Sequence, residues 1–248
     1  MTFREPLDRG ELSLHYQPIV DMTSGEVTSA EALLRNAGPE PAKEIAQSAE
    51  READHFALDQ FIVHTACRDA ASWRAAGLSF AVHVNVSARE LEGERFLALI
   101  DDALAEHGLA PQALQIEITE TSAIADLATA SAILEGLKDR GVGVWLDDFG
   151  TGHSSLEWLN DFRVDGIKLP KELITDVREG TRKGSIVRAV VDLAHELKMF
   201  VIAEGVENEG EVAFLRAIRC DAMQGFYLAK PVSATELFAA VGRRSARR

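Results

Sequence analysis

The sequence predicts an α/β fold: one eight-stranded barrel that takes up residues 1–248 as a single domain. Strand-like apolar segments alternate with amphipathic, helix-like segments along most of the chain, a pattern typical of a mainly parallel sheet. There are eight strand-like segments, which is enough to close a barrel. No linker or shift in composition divides the 248 residues, a length that α/β barrels often reach as one domain. The arginine-rich last few residues are expected to form a disordered tail.

The order of the elements begins with two strands, residues 12–20 and 27–34, joined by a short connection around Gly25. So short a connection predicts that these two strands are antiparallel. Strand–helix units follow from there to the C-terminus. Helices are expected at residues 40–51, 56–76, 95–107, 123–140, 154–159, 181–198, 209–218 and 234–241, and strands at 80–86, 114–118, 142–146, 164–169, 199–203 and 222–226.

The composition excludes several classes of protein. A formal net charge of −14 argues against broad contact with a nucleic-acid backbone. No apolar run is long enough to span a membrane, and the charged N-terminus lacks the apolar core of a signal peptide. Cys67 and Cys220 lie far apart in apolar segments, which favours buried free thiols in a reducing compartment. We therefore expect a cytoplasmic protein that binds neither a nucleic-acid polymer nor a membrane.

The stretch from Leu146 to Gly152 carries the first indication of function. Two adjacent aspartates, Asp147 and Asp148, end an apolar strand and enter a glycine-rich turn. Neighbouring carboxylates repel each other unless a positive group lies between them, and divalent cations bind carboxylate oxygens well. Taken alone, the stretch is better explained as an acidic surface turn in which Asp148 or Thr151 caps the next helix.

Other predicted strands also end in polar side chains. Because a charge inside a strand is costly to desolvate, a ring of such residues at one rim is hard to explain by packing. Oxygen ligands suit Mg²⁺ or Mn²⁺, no Cys/His set has zinc spacing, and the seven scattered histidines are expected to be structural or exposed. The ring comprises Glu31, Asn85, Glu117, Glu120, Asp147, Asp148, Lys168, Glu204, Glu207 and Gln224.

This set of residues predicts metal-assisted attack on a phosphodiester. Two metals can lower the pKa of a bridging water and stabilise the leaving oxygen. Asp147 is the natural bridging carboxylate, and Lys168 is placed to neutralise developing charge or to hold the attacking water. Spacing alone does not identify the substrate.

Several motifs resemble the EAL domain family, phosphodiesterases that open cyclic di-GMP to linear pGpG. The resemblance spans nearly the whole chain and implies a modified TIM barrel, (β/α)8, whose first strand is antiparallel to the others. The matching motifs are Gln17-Pro18-Ile19-Val20, Glu31-Ala32-Leu33-Leu34-Arg35, Val84-Asn85-Val86-Ser87, Glu117-Ile118-Thr119-Glu120, Asp147-Asp148-Phe149-Gly150-Thr151-Gly152, Ile167-Lys168, Ala203-Glu204-Gly205-Val206-Glu207 and Gln224-Gly225-Phe226-Tyr227-Leu228-Ala229-Lys230-Pro231.

The resemblance also implies a role for each matching residue. Two metals per active site are expected, one bound by Glu31, Asn85, Glu117 and Asp147, and the second by Asp147, Asp148 and water. Lys168 and Glu204 are expected to act on the nucleophilic water, with Gln224 supporting them. The substrate cyclic di-GMP is expected to meet Gln17, Leu33 and Arg35, while Glu120 and Glu207 support the loops. The family pattern further implies a homodimer, and a separate sensor or regulatory partner is possible.

Three departures from the family pattern keep a second hypothesis open. Asn36 stands where an aromatic residue is usual, and the segment 37–53 that follows is short; Pro170 replaces an aspartate near Lys168; His153 replaces an aromatic ring. These changes favour a non-catalytic receptor for cyclic di-GMP or for a protein, whereas the complete ligand set favours the enzyme. A barrel enzyme acting on sugar phosphates ranks last, because no glycine-rich phosphate loop follows the last two strands.

Overall fold

The computed structural model describes residues 4–38, 42, 44–46, 56–86, 95–119, 127–151, 159 and 162–245. It confirms the eight-stranded barrel. The strands, in chain order, are β1 (Leu12–Asp21), β2 (Val27–Asn36), β3 (Ala81–Val86), β4 (Leu114–Thr119), β5 (Gly143–Asp147), β6 (Gly166–Leu169), β7 (Phe200–Ala203) and β8 (Ala222–Met223).

Strand β1 closes the barrel by pairing with both of its neighbours. Strands β2 to β8 follow one another in parallel, and β1 lies antiparallel between β8 and β2. Its register places Gln17 opposite Glu31 and Val20 opposite Met223. The antiparallel first strand expected from the short hairpin is therefore confirmed. A two-residue strand, β9 (Val232–Ser233), pairs antiparallel with His15 and Tyr16 of β1.

Helices follow most of the strands and form the outer layer. Their starts carry local signals: Thr181 accepts a hydrogen bond from Gly184 N, and Asn208 and Glu211 form a capping box. The helices are α1 (Arg4–Asp8), α2 (Phe56–Ala75), α3 (Arg95–His107), α4 (Leu127–Asp139), α5 (Lys171–Ile174), α6 (Arg182–Glu196), α7 (Glu209–Ala217) and α8 (Ala234–Ser245), with a 3₁₀ turn at Pro111–Ala113.

The predicted elements differ from the structure in a few places. Helices α1 and α5 were not predicted, because five and four residues are too few to show a helical period. The predicted strand 222–226 ends at Met223, since the chain then turns to pair with the loop after β7, where Val206 N donates to Gln224 O. The predicted helices 40–51 and 154–159 and the start of 123–140 lie largely outside the described residues.

Side chains alternate across the barrel wall, as the period of a strand requires. In β3, Val82, Val84 and Val86 belong to the large apolar core that lies beneath the helices. A separate apolar cluster of Ile19, Trp145, Ile202 and Ala222 fills part of the barrel interior. The polar residues of the site lie one or two steps further along these same strands. The fold thus places a ring of polar side chains on an apolar floor, at the carboxyl ends of the strands.

Candidate active site

The Lys168 ammonium group lies at the centre of the site. Its Nζ is 2.5 Å from Glu204 Oε1, 2.9 Å from Glu117 Oε1, 3.3 Å from Glu31 Oε2 and 3.5 Å from Asp147 Oδ1. The lysine side chain is fully buried. Residues from five strand ends therefore converge on one point, as the sequence predicted for a barrel rim.

Amide side chains hold Glu31 in place from two sides. Asn85 Nδ2 donates to Glu31 Oε1 at 2.7 Å, and Gln224 Nε2 donates to Glu31 Oε2 at 2.6 Å. Gln224 Nε2 also donates to Gln17 Oε1 at 3.0 Å, and Gln17 Nε2 donates to the Ala229 carbonyl. These bonds join β1, β2, β3 and the end of β8, so the orientation of Glu31 depends on closure of the barrel.

Burial and the lysine charge together set the protonation of the ring. Burial raises the pKa of Glu117 well above its usual value, despite the opposing charge of Lys168. Burial likewise raises the pKa of Glu204 to about 8. Burial also acts to raise the pKa of Glu31, but the charge of Lys168 and the amide hydrogen bonds outweigh it, so this pKa is lowered. Burial acts to lower the pKa of Lys168, yet the surrounding carboxylates raise it well above normal and keep the lysine charged.

The two adjacent aspartates occupy different positions. Asp147 ends β5 and contacts Lys168, whereas Asp148 has a positive φ of 53° and donates its backbone N–H to Asp147 Oδ1 at 2.9 Å. Burial and the charge of Asp147 raise the pKa of Asp148. Oxygens of Asp147, Asp148 and Glu204 lie within 4.8 Å of one another. This trio is a second cluster of oxygen donors beside the buried ring.

The donor set fits a hard divalent cation. Glu117 Oε2 is buried and has no hydrogen-bond partner among the residues that the structure describes. A buried oxygen without a partner is costly, and a metal ion would satisfy it. The nearby donors are carboxylate and amide oxygens, which suit Mg²⁺ or Mn²⁺. Glu31, Asn85, Glu117 and Asp147 are thus placed so that they could hold such an ion.

His83 contacts this site, although the histidines were expected only to be structural or exposed. Its Nδ1 lies 2.8 Å from Glu117 Oε1, and both side chains are buried. Burial, helped by the charge of Lys168, lowers the pKa of His83 to about 3, so the ring is neutral. His83 is two residues before Asn85 on β3, which puts both side chains on the inner face of the barrel. This spacing of two residues from Asn85 could have indicated that His83 faces the site.

An open cavity of about 310 Å³ lies beside the buried ring. Of the predicted substrate residues, Gln17 and Leu33 line it, and Glu207 lies at its edge with Oε1 2.5 Å from Lys171 Nζ. Lys171 and the exposed ring of Phe226 also line it and were not predicted as site residues. Lys171 lies three residues after the predicted site residue Lys168, and Phe226 lies two residues after the predicted site residue Gln224. A volume of this size is in the usual range for small-ligand sites.

Two predicted residues, Arg35 and Glu120, and two departures from the family pattern, His153 and Pro170, lie outside the ring and the cavity lining or outside the described residues. Arg35 is not among the residues that line the cavity; its guanidinium donates to the Leu34 carbonyl at 2.8 Å. Glu120 lies outside the described residues, as does His153. Pro170 is the N-cap residue of α5 and has an extended backbone, with φ −67° and ψ 156°.

Comparison with known proteins identifies the family. The sequence model of the EAL domain matches residues 2–231, and the chain therefore belongs to the EAL domain family. Among its curated relatives, the cyclic di-GMP phosphodiesterase PdeR of Escherichia coli is 36% identical over 235 residues, which cover 93% of this chain and 35% of PdeR. The bifunctional diguanylate cyclase/cyclic di-GMP phosphodiesterase MucR of Pseudomonas aeruginosa is 34% identical over 243 residues, 96% of this chain and 36% of MucR.

Solved structures agree with this assignment. The PaMucR phosphodiesterase in complex with c-di-GMP is 33% identical, with a TM-score of 0.88 over 94% of this chain and 97% of that one. The EAL domain of Mycobacterium smegmatis DcpA is also 33% identical, with a TM-score of 0.81 over 94% of this chain and 97% of the DcpA chain. The chain spans about a third of the length of the curated relatives it matches. Within the described residues, no helix is both long and apolar enough to cross a membrane.

Proposed function

We propose that this protein is a metal-dependent phosphodiesterase that hydrolyses cyclic di-GMP to linear pGpG. The observation that carries the proposal is the buried ring of oxygen donors around Lys168, which opens onto a cavity of about 310 Å³. The proposed substrate follows from membership of the EAL family and from relatives named as cyclic di-GMP phosphodiesterases.

The proposed metal site uses two groups of donors. Glu31, Asn85, Glu117 and Asp147 would hold one Mg²⁺ or Mn²⁺ ion, and Asp147 with Asp148 would hold a second. When bound, such ions lower the pKa of a coordinated water and stabilise the leaving oxygen of a phosphodiester. The unpartnered Oε2 of Glu117 and the closeness of the Asp147 and Asp148 oxygens support this division.

Lys168 and Glu204 are proposed to act on the attacking water. Lys168 Nζ lies 2.5 Å from Glu204 Oε1, and Glu204 lines the cavity, which supports a joint action of the two side chains on a water molecule there. Once deprotonated, the Glu204 carboxylate is a base strong enough to accept a proton near neutral pH, because burial raises its pKa to about 8. Gln224 keeps Glu31 and Gln17 in fixed positions through its amide group, and so supports the ring from the side of β8.

The remaining residues are proposed to bind the nucleotide and to hold the loops. Gln17 and Leu33 line the cavity, where a polar amide and an apolar side chain can meet a guanine edge and face. Arg35 is proposed to contact a phosphate after giving up its hydrogen bond to the Leu34 carbonyl. Glu207 anchors Lys171 at the rim of the cavity, and Glu120 is proposed to support the loop after β5.

A direct assay tests the proposed activity. Purified protein is incubated with cyclic di-GMP and Mg²⁺ or Mn²⁺, the nucleotides are separated by chromatography, and a parallel sample contains EDTA. Metal-dependent appearance of pGpG supports the enzyme. Unchanged cyclic di-GMP in every sample would reject it, and a binding titration on the same preparation would then test the receptor hypothesis.

We also propose that the chain forms a homodimer through α6. Ile186 and Leu193 on α6, and Leu197 directly after its last residue, are exposed by 36–47%, and their spacing puts them on one side of the helix. Its first turn exposes Arg182, and its last turn exposes Glu196, so two antiparallel copies would pair opposite charges. Light scattering should give the mass of a dimer, and Leu193→Glu should shift it to a monomer; a monomeric wild-type protein would reject the proposal.

A further inference from the structure

Two helices of the outer layer bring together a second set of metal-ligating side chains. His64 belongs to α2, and Glu106 and His107 end α3. One ligand atom from each residue lies within 4.8 Å of the other two. Neither the barrel ring nor its cavity includes any of these three residues.

The geometry is already close to that of a tetrahedral metal site. His64 Nδ1 lies 3.2 Å from Glu106 Oε2. In a tetrahedral zinc site with bonds of about 2.1 Å, ligand atoms are separated by about 3.4 Å, so this pair needs little movement. The His64 and His107 rings lie 5.7 Å apart between centroids, nearly perpendicular to each other. The three ligand atoms, which lie within 4.8 Å of one another, would have to come closer by rotation of the exposed Glu106 side chain and the two rings.

The His107 ring is partly buried, and one of its nitrogens is shielded from solvent. His107 Nε2 is buried, and among the described residues it has no hydrogen-bond partner. A ring nitrogen shielded from water and left without a partner costs free energy, and a bound cation would satisfy it. The cluster also has a net negative formal charge, because Glu106 is the only member charged when both rings are neutral. Both features favour a cation.

We propose that His64, Glu106 and His107 bind one Zn²⁺ ion that links α2 to α3. Two imidazoles and one carboxylate suit this borderline metal better than they suit Mg²⁺ or Ca²⁺. Three protein ligands leave a fourth position for water. Because the ligands come from two helices, bound zinc stabilises their packing on the barrel. The site is separate from the proposed phosphodiesterase centre and does not depend on it.

Cobalt absorption provides the test, because four-coordinate Co²⁺ with nitrogen ligands absorbs visible light far more strongly than octahedral Co²⁺ in an oxygen site. Chelator-treated protein, saturated with Mg²⁺ to occupy the barrel ring, is titrated with Co²⁺ and then with Zn²⁺. The variants are His64→Ala, His107→Ala and Glu106→Gln. The matched control is Asp102→Asn, an exposed carboxylate elsewhere on α3. Glu106 is 63% exposed, so its substitution leaves the fold intact.

The proposal predicts strong visible bands in the wild-type protein, which disappear on addition of one equivalent of Zn²⁺. Each ligand variant should weaken Co²⁺ binding at least tenfold, while Asp102→Asn should match the wild type. Zn²⁺ should also raise the Tm of the wild type and of Asp102→Asn, but not that of Glu106→Gln. Weak bands in the wild type, or equal bands in Glu106→Gln, would overturn it.

Discussion

His83 Nδ1 lies 2.8 Å from Glu117 Oε1 inside the barrel, and both side chains are buried. Burial keeps the ring neutral, so it carries one N–H, and an ionised Glu117 can only accept that proton. The N–H therefore lies on Nδ1 whenever Glu117 is a carboxylate. This bond occupies Oε1 and leaves the unpartnered Oε2 for a metal ion. His83 thus orients a proposed metal ligand without touching the metal.

Substitution of His83 should weaken metal binding. His83→Ala removes the donor that orients Glu117, and losses of this kind typically lower metal affinity about 10- to 100-fold. His83→Asn keeps an N–H donor and should recover part of the loss. Calorimetric titration with Mn²⁺ measures both. His195→Ala, which breaks another histidine–carboxylate pair with Asp221, is the control and should bind Mn²⁺ normally; equal affinity in His83→Ala would show that Glu117 needs no such support.

Removal of the central cation should destabilise the metal-free protein. Lys168→Met leaves the carboxylates of Glu31, Glu117, Asp147 and Glu204 without their shared partner. Breaking a buried ion pair in this way costs about 3–5 kcal/mol. Urea unfolding with EDTA should show the loss, and Mn²⁺ should restore much of it because the metal supplies positive charge. A variant as stable as the wild type in EDTA would mean that the Lys168 charge does not stabilise the ring.

The stability of the metal-free protein should fall as pH rises. The folded-state pKa of Glu204 is raised to about 8, above its ordinary value, and that of Glu117 is raised as well. The folded state therefore binds more protons than the unfolded state, and the stabilisation present at low pH is lost between about pH 4.5 and 8. Glu204→Gln should flatten this dependence. Urea unfolding in EDTA at several pH values measures it, and identical slopes for both proteins would contradict the raised pKa.

Metal binding should strengthen with pH over the same range. A cation bound to Glu117 must displace the proton that burial holds there, and its charge also favours ionisation of the neighbouring Glu204, so binding releases protons and is favoured at higher pH. Calorimetry in two buffers of different ionisation enthalpy measures the number released. We expect proton release at pH 6.5 that decreases toward pH 9; release that is absent at pH 6.5 would show that the carboxylates are already ionised.

The floor of the barrel should not tolerate a side chain at residue 166. A Cβ on Gly166 would collide with the Trp145 ring and lie 2.6 Å from the Phe200 carbonyl oxygen. Gly166→Ala should therefore destabilise the fold by about 1–3 kcal/mol. Gly242→Ala is the control, since a Cβ there meets nothing within 4 Å, and it should stabilise α8 by about 0.5–1 kcal/mol. Thermal unfolding of both variants checks the opposite signs.

Much of this site was predictable because strand ends in a parallel barrel share one rim. Glu31, Glu117, Asp147 and Lys168 each stand at or near the end of a recognisable strand, so their convergence follows from topology. His83 was missed because a histidine within an apolar strand is more often a core residue. Its contact with Glu117 depends on register between strands, which the sequence does not state.

The cluster on the outer layer was beyond sequence reasoning for a different reason. His64 and the pair Glu106 and His107 lie on separate helices, and their spacing matches no zinc motif. Which faces of α2 and α3 meet is decided by packing against the barrel. The predicted end of β8 was wrong because it also depends on packing between distant residues. Gly225 packs closely against the backbone of Val206, and the chain leaves the sheet there.

Mass analysis of pGpG formed in ¹⁸O-labelled water tests the central claim most directly. The wild-type protein with Mn²⁺ should incorporate one ¹⁸O atom from solvent into the terminal phosphate of each pGpG molecule, because a water molecule attacks one phosphodiester. EDTA should abolish product, and Glu204→Gln should lower the rate at least a hundredfold while it still binds cyclic di-GMP. Absence of pGpG in the wild type, or product formation at an unchanged rate in Glu204→Gln, would contradict the account.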